Sequence, residues 1–132
     1  MDTRLLRRIH LAARAVLAFV FIYHGLVPKI LWLSPIETAL TSIHGVDPTV
    51  LSPLAGGMEI VLGVALLAWR GSLVPVYAAL LLLFGLLLDV MIVMPGLLAE
   101  AFNPLTTNVA AMFAGYVVIV TQRHANAHRH WA

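Results

Sequence analysis

The chain has 132 residues, with eight Lys or Arg against six Asp or Glu, six His and no Cys; 61% of it is apolar and only 11% charged. A soluble domain carries roughly a quarter charged residues, so this composition cannot clothe a water-facing surface and excludes a soluble enzyme, a nucleic-acid binder and a disordered chain. The lack of cysteine excludes disulfide exchange, thiolate metal ligation and cysteine catalysis.

The apolar share of 61% matches what four membrane spans of about 20 residues each require. The first apolar run covers about 8–27, behind the basic residues Arg4, Arg7 and Arg8. It ends in Tyr23-His24-Gly25 rather than a small-x-small cleavage site, and more spans follow, so it reads as a retained helix closed by Pro28. Ser34-Pro35-Ile36-Glu37 then reads as a capping box with proline at the first helical position, and Gly45 as a stop. The segment 35–44 is too short and polar to span, which makes it a short helix at the membrane surface. Asp47-Pro48 repeats the cap, and a second span covers about 50–70; Pro53 either kinks it or marks its start behind Ser52. The third span, 73–94, carries Pro75 in its first turn, where a missing N–H is tolerated, and ends before Pro95-Gly96. Asn103-Pro104 caps a fourth span, 104–121, followed by a polar tail, 122–132. Spans joined by short connectors form one all-α domain, an antiparallel four-helix transmembrane bundle.

Charge orients this bundle. Arg4, Arg7, Arg8, Arg14, Arg70, Arg123 and Arg129 share one end with both termini, while Lys29, Glu37, Asp47 and Glu100 lie at the other. The positive-inside rule therefore puts both termini in the cytoplasm, in a bacterial-type inner membrane. Trp32, Trp69 and Trp131 fall near the expected interfaces, as an aromatic belt requires.

Each span places a polar group toward the outer end: His24 and Lys29 on the first, Glu59 on the second, Asp89 on the third, Asn108 on the fourth. Counted from Pro53, Glu59 lies about 9 Å in at 1.5 Å per residue. Helical spacing turns this layer inward: Gly56, Glu59, Gly63 and Leu66 share a face, as do Gly85 with Asp89, and Asn108 with Ala111 and Gly115. On the first helix His10, Arg14, Leu17, Phe21 and His24 form a stripe. A carboxylate at mid-membrane costs about 2.5–3.5 kcal/mol on insertion scales, so Glu59 and Asp89 need partners, with Lys29 and His24 nearest by depth. Two readings follow. In one, Glu59–Lys29 and Asp89–His24 pairs and Asn108 hold the bundle together; in the other the layer is an outward-opening pocket for protons, a cation or a polar head group such as a quinone's. No spacing here names a catalytic residue. His124, His128 and His130 in the tail read as solvated rather than as a metal site.

Four strings in order carry a family likeness: Tyr23-His24-Gly25-Leu26-Val27-Pro28-Lys29, Ser34-Pro35-Ile36-Glu37, Gly57-Met58-Glu59-Ile60-Val61-Leu62-Gly63 and Asn103-Pro104-Leu105-Thr106-Thr107-Asn108. Together they resemble the DoxX-like membrane family, and most closely its small branch sometimes fused to short-chain-dehydrogenase-like domains. The namesake is a subunit of an archaeal thiosulfate:quinone oxidoreductase. The resemblance implies a four-helix membrane fold, a quinone or lipid ligand without a covalent cofactor, and a larger membrane complex or a separate dehydrogenase-like polypeptide as partner. It matches His24, Lys29, Glu37, Glu59, Asn103 and Asn108; Asp89 comes from depth alone. The leading expectation is an accessory membrane subunit that engages a lipophile. The alternatives are a purely structural peripheral subunit and a stand-alone membrane enzyme; Gly-faced helices also fit a homo-oligomer.

Overall fold

The computed structural model describes residues 3–129, with side chains through 127. His130, Trp131 and the side chain of His128, which the tail and belt readings invoked, lie outside what is described. The elements are α1 (Thr3–Leu26), a π-helical turn (Val27–Leu31), α2 (Pro35–Ile43), α3 (Pro48–Ala68), α4 (Val74–Val93), a 3-10 turn (Pro95–Ala99) and α5 (Pro104–Arg129). Among the described residues there is no strand. Four segments are long and apolar enough to cross a membrane: Thr3–Leu31, Pro48–Ala68, Val74–Val93 and Pro104–Ala127.

The caps form where the sequence places them. The Ser34 hydroxyl accepts from the Glu37 N–H at 3.1 Å, the Asp47 carboxylate from the Thr49 N–H at 2.9 Å, and the Asn103 amide oxygen from the Thr106 N–H at 2.9 Å. Gly45, with φ of 72°, takes the left-handed conformation that ends α2.

Three local expectations change. Pro28 does not stop the first span. Lacking an N–H, it breaks the regular ladder, and the chain widens into a π turn instead, with Trp32 N–H donating to the Val27 carbonyl at 2.9 Å. Pro53 lies inside α3, which starts at Pro48, so Glu59 is the twelfth of 21 residues and sits at mid-helix rather than in the outer third. The last helix runs on through the expected polar tail to Arg129, because the residues after Thr121 include no Gly or Pro to break it.

The core is built from one face of each long helix: Leu17, Ala18 and Phe21 of α1, Leu66 of α3, Val76, Ala79 and Leu83 of α4, and Ala111, Ala114 and Val118 of α5. α1 packs most extensively, on α3 and α5, and α4 joins the bundle chiefly through α5. The opposite faces present Phe19, Met58, Val61, Leu81 and Ile92 outward, as a bundle surrounded by hydrocarbon requires. α1 and α3 approach until backbone touches backbone. A methyl group on Gly56 would collide with the Gly25 carbonyl oxygen, and one on Gly63 would lie 2.6 Å from Ile22 Cγ1. Gly85, by contrast, faces open space and makes no helix contact, so the Gly85–Asp89 stripe is not a packing face.

Candidate functional site

The close approach of α1 and α3 decides where the charges meet. Gly25 and Gly56 bring the two backbones together beside Glu59, and the π turn swings Lys29 inward. Lys29 Nζ donates directly to Glu59 Oε1, and both residues are buried. Its ammonium also lies 3.8 Å from Glu37 Oε1 of α2. Glu37 thus completes only half of its capping box: its N–H takes the Ser34 cap, while its carboxylate turns to Lys29 instead of back to the Ser34 N–H, which donates to the Pro28 carbonyl at 3.0 Å.

One cation thus serves two carboxylates. Desolvation raises the Glu37 carboxyl above the ordinary carboxylate range; the Lys29 charge pulls it down and the Glu59 charge pushes it further up. The net direction follows the burial, since Lys29 is engaged closely by Glu59 and only at 3.8 Å by Glu37. Glu59 Oε2 has no hydrogen-bond partner although it is buried. That oxygen is an unused acceptor beside an ammonium group, in low dielectric, where an unmade hydrogen bond is costly.

The other sequence candidates separate into three groups. His24 is exposed on α1, within electrostatic reach of Glu59 and Lys29. Asp89 does not pair with His24. His44, just past α2, lies with Nε2 3.1 Å from Asp89 Oδ2, because α2 folds back over the end of α4 and brings a nearer imidazole. Asn103 is spent on local structure, capping α5 and donating to the Glu100 carbonyl at 3.0 Å. Asn108 is buried on the inward face with Ala111 and Gly115. Only Lys29, Glu37 and Glu59 therefore form one cluster, with His24 at its rim.

Two cavities stand out, and both lie at the opposite end of the bundle, where the termini are. The larger, about 960 Å³ and open to one side, is lined by residues of α1, the α3–α4 connector and α5. The smaller, about 220 Å³, lies against Arg14 and shares Leu11 and Arg70 with it. Sequence reasoning noted Arg14 near this end but did not assign a site there. The signal was available: Arg14 falls on the inward stripe with Leu17 and Phe21, where a charge is out of place.

Among the described residues no group of three His, Cys, Asp or Glu is placed to hold a metal ion. Searches of curated proteins and of solved structures return no similar chain. The model of the DoxX-like family matches residues 18–116, well over half of the sequence, and the chain belongs to that family.

Proposed function

We propose that this small DoxX-like membrane protein is an accessory subunit that engages the polar head of a lipophile, a quinone being the class that fits, through the cluster of Lys29, Glu59 and Glu37. The observation that carries the reading is the unpartnered Glu59 Oε2 beside Lys29. A quinol hydroxyl would donate to that oxygen, and the Lys29 ammonium is a donor for a quinone carbonyl. His24 at the rim and Glu37, whose side chain is 23% exposed, are the groups able to exchange a proton. Exposed Tyr23 and Met58, next in sequence to His24 and Glu59, suit the apolar tail of such a ligand. In this reading the protein sits in a bacterial-type cytoplasmic membrane with both termini inside, as the arginine distribution supports, and α2 lies at the outer surface.

A specific observation favours a second reading. The Lys29–Glu59 pair is buried, and Lys29 also faces Glu37, as a lock between α1, α2 and α3 in a purely structural subunit would require.

Native mass spectrometry of the protein extracted gently from its source membrane separates the two. A retained quinone on the wild-type chain, lost in Glu59→Gln while the helical circular-dichroism spectrum is unchanged, is the outcome expected. A chain found only with larger subunits and carrying no small molecule would transfer the cluster to the structural reading.

A further inference from the structure

Among the described residues, the end of the bundle that holds the termini carries no acidic side chain. Of six acidic residues in the sequence, five are described, and none of Glu37, Asp47, Glu59, Asp89 and Glu100 lies at this end. Positive-inside placement accounts for exposed arginines such as Arg7 and Arg70, but not for Arg14, which is 1% exposed. Arg14 Nη2 donates to the Ser72 carbonyl, while its Nε and Nη1 are buried with no partner. No described carboxylate pairs with it. A guanidinium does not lose its proton, so the positive charge persists in the bundle.

The cavity of about 220 Å³ against Arg14 adjoins, through Leu11 and Arg70, a larger cleft shaped for an amphiphile. α1 and α5 extend past the ends of α3 and α4, and the cleft of about 960 Å³ lies between them, over the connector. Leu6 and Leu11 supply an apolar wall, and Arg7, His10, Arg70 and Gln122 supply polar groups. His10 Nδ1 and Thr121 Oγ1, 3.0 Å apart, hold the two helices together at its floor. Gln122 is oriented by its own amide, which donates to the Gly71 carbonyl at 2.6 Å; this leaves its buried Oε1 as an acceptor without a donor. Unsatisfied donors on Arg14 in the smaller cavity and an unsatisfied acceptor on Gln122 in the larger one suit a head group that reaches both, anionic and carrying a hydroxyl.

We propose that this cleft and the smaller cavity adjoining it at Leu11 and Arg70 together bind the head group of an anionic glycerophospholipid from the leaflet on the side of the termini, with Arg70 and, from the smaller cavity, Arg14 on the phosphate and Gln122 on a head-group hydroxyl. Basic pockets between helices near the cytoplasmic face are suited to such lipids. The site is independent of the Lys29–Glu59 cluster, and neither proposal depends on the other.

Purified protein in nonionic detergent, titrated with phosphatidylglycerol, phosphatidylcholine or inorganic phosphate and weighed by native mass spectrometry, tests it. One phosphatidylglycerol per chain is expected, in clear preference to phosphatidylcholine. Arg14→Gln and Arg70→Gln should each lower its occupancy about tenfold, the scale of one charge-assisted hydrogen bond. Arg123→Gln removes a charge from the same end outside the cleft, where Arg123 donates to the Tyr77 hydroxyl, and should leave occupancy unchanged. Should Arg14→Gln fail to fold, the contrast between Arg70→Gln and Arg123→Gln still decides. Equal binding of phosphatidylcholine, equal losses in those two variants, or displacement of the lipid by millimolar inorganic phosphate would each overturn the proposal.

Discussion

Two neighbouring glycines on α3 should respond to the same substitution with opposite signs. A methyl group on Gly56 runs into the Gly25 carbonyl oxygen and comes within 3.0 Å of Lys29 Cβ and 3.2 Å of Ile30 Cγ1. The first obstacle is backbone and cannot rotate aside, so α1 and α3 must separate. Overpacking of this kind costs about 1–3 kcal/mol, and a backbone obstacle belongs at the upper end. Replacing a mid-helix glycine by alanine returns about 1 kcal/mol through helix propensity. Gly56→Ala should therefore destabilise by about 2 kcal/mol net of these terms. Gly57, one residue on, has nothing within 4 Å of the added methyl, so Gly57→Ala keeps the propensity gain alone and should stabilise by about 0.5–1 kcal/mol. Unfolding in mixed micelles by titration with sodium dodecyl sulfate, followed by tryptophan fluorescence, reads the difference of nearly 3 kcal/mol between them. A Gly56→Ala protein as stable as wild type, or equal losses in both variants, would refute the account of α1 and α3 as a backbone-on-backbone contact.

Lys29→Met leaves the Glu59 carboxylate buried without its cation and should cost about 3–5 kcal/mol, most of it recovered in Lys29→Met/Glu59→Gln; the coupling is read from a double-mutant cycle by the same titration. Glu37 binds its proton more tightly folded than unfolded, so its contribution to stability is complete below its ordinary pKa of 4.5 and is lost as pH rises through the higher folded value. Glu37→Gln should therefore flatten the stability curve above pH 4.5. Asp47 runs the other way: hydrogen bonds from the Thr49 hydroxyl and N–H hold its carboxyl below the ordinary 3.8, so its contribution is present above that value and lost as pH falls beneath it. Asp47→Asn should then remove a loss confined to the most acidic range, separate from the Glu37 window. The Asp89–His44 pair is partly solvated, with side chains 33% and 43% exposed, so Asp89→Asn should change unfolding by less than about 1 kcal/mol.

The parts of this fold that are local in sequence were legible there. Ser34, Asp47 and Asn103 cap because a short side-chain acceptor precedes a proline-led apolar run, a rule that acts over four residues. The inward stripe of Gly56, Glu59, Gly63 and Leu66 follows from helical period alone, and all four are buried. Lys29 as the partner of Glu59 followed from depth. Depth failed for Asp89 because it ignores direction around the axis. His24 and Asp89 are on α1 and α4, which are not principal packing partners, and α2 folds back over α4 to bring His44 to Asp89. At Pro28, proline's missing N–H forbids a regular ladder but not a wider one, so the chain continues as a π turn that carries the buried Lys29. The cleft at the other end needed the relative lengths of four helices and the packing of a connector, neither of which is written in any one segment.

The two ends of the bundle handle charge in opposite ways, and the contrast bears on what each can do. Near mid-bundle, one ammonium is matched by two carboxylates within the chain, and the residual demand is a single buried acceptor, Glu59 Oε2. A neutral ligand with a hydroxyl donor meets that demand without bringing charge into the hydrocarbon region. At the terminal end the imbalance is a full cation with two unmet donors on Arg14, and no described side chain supplies the anion. A neutral quinone would not correct this, whereas a phosphate diester would, and the neighbouring leaflet holds such groups at high local concentration. The chemistry therefore divides between the ends: a neutral lipophile suits the Lys29–Glu59–Glu37 cluster and an anionic one suits Arg14. A single ligand class serving both would have to be neutral in one place and charged in the other.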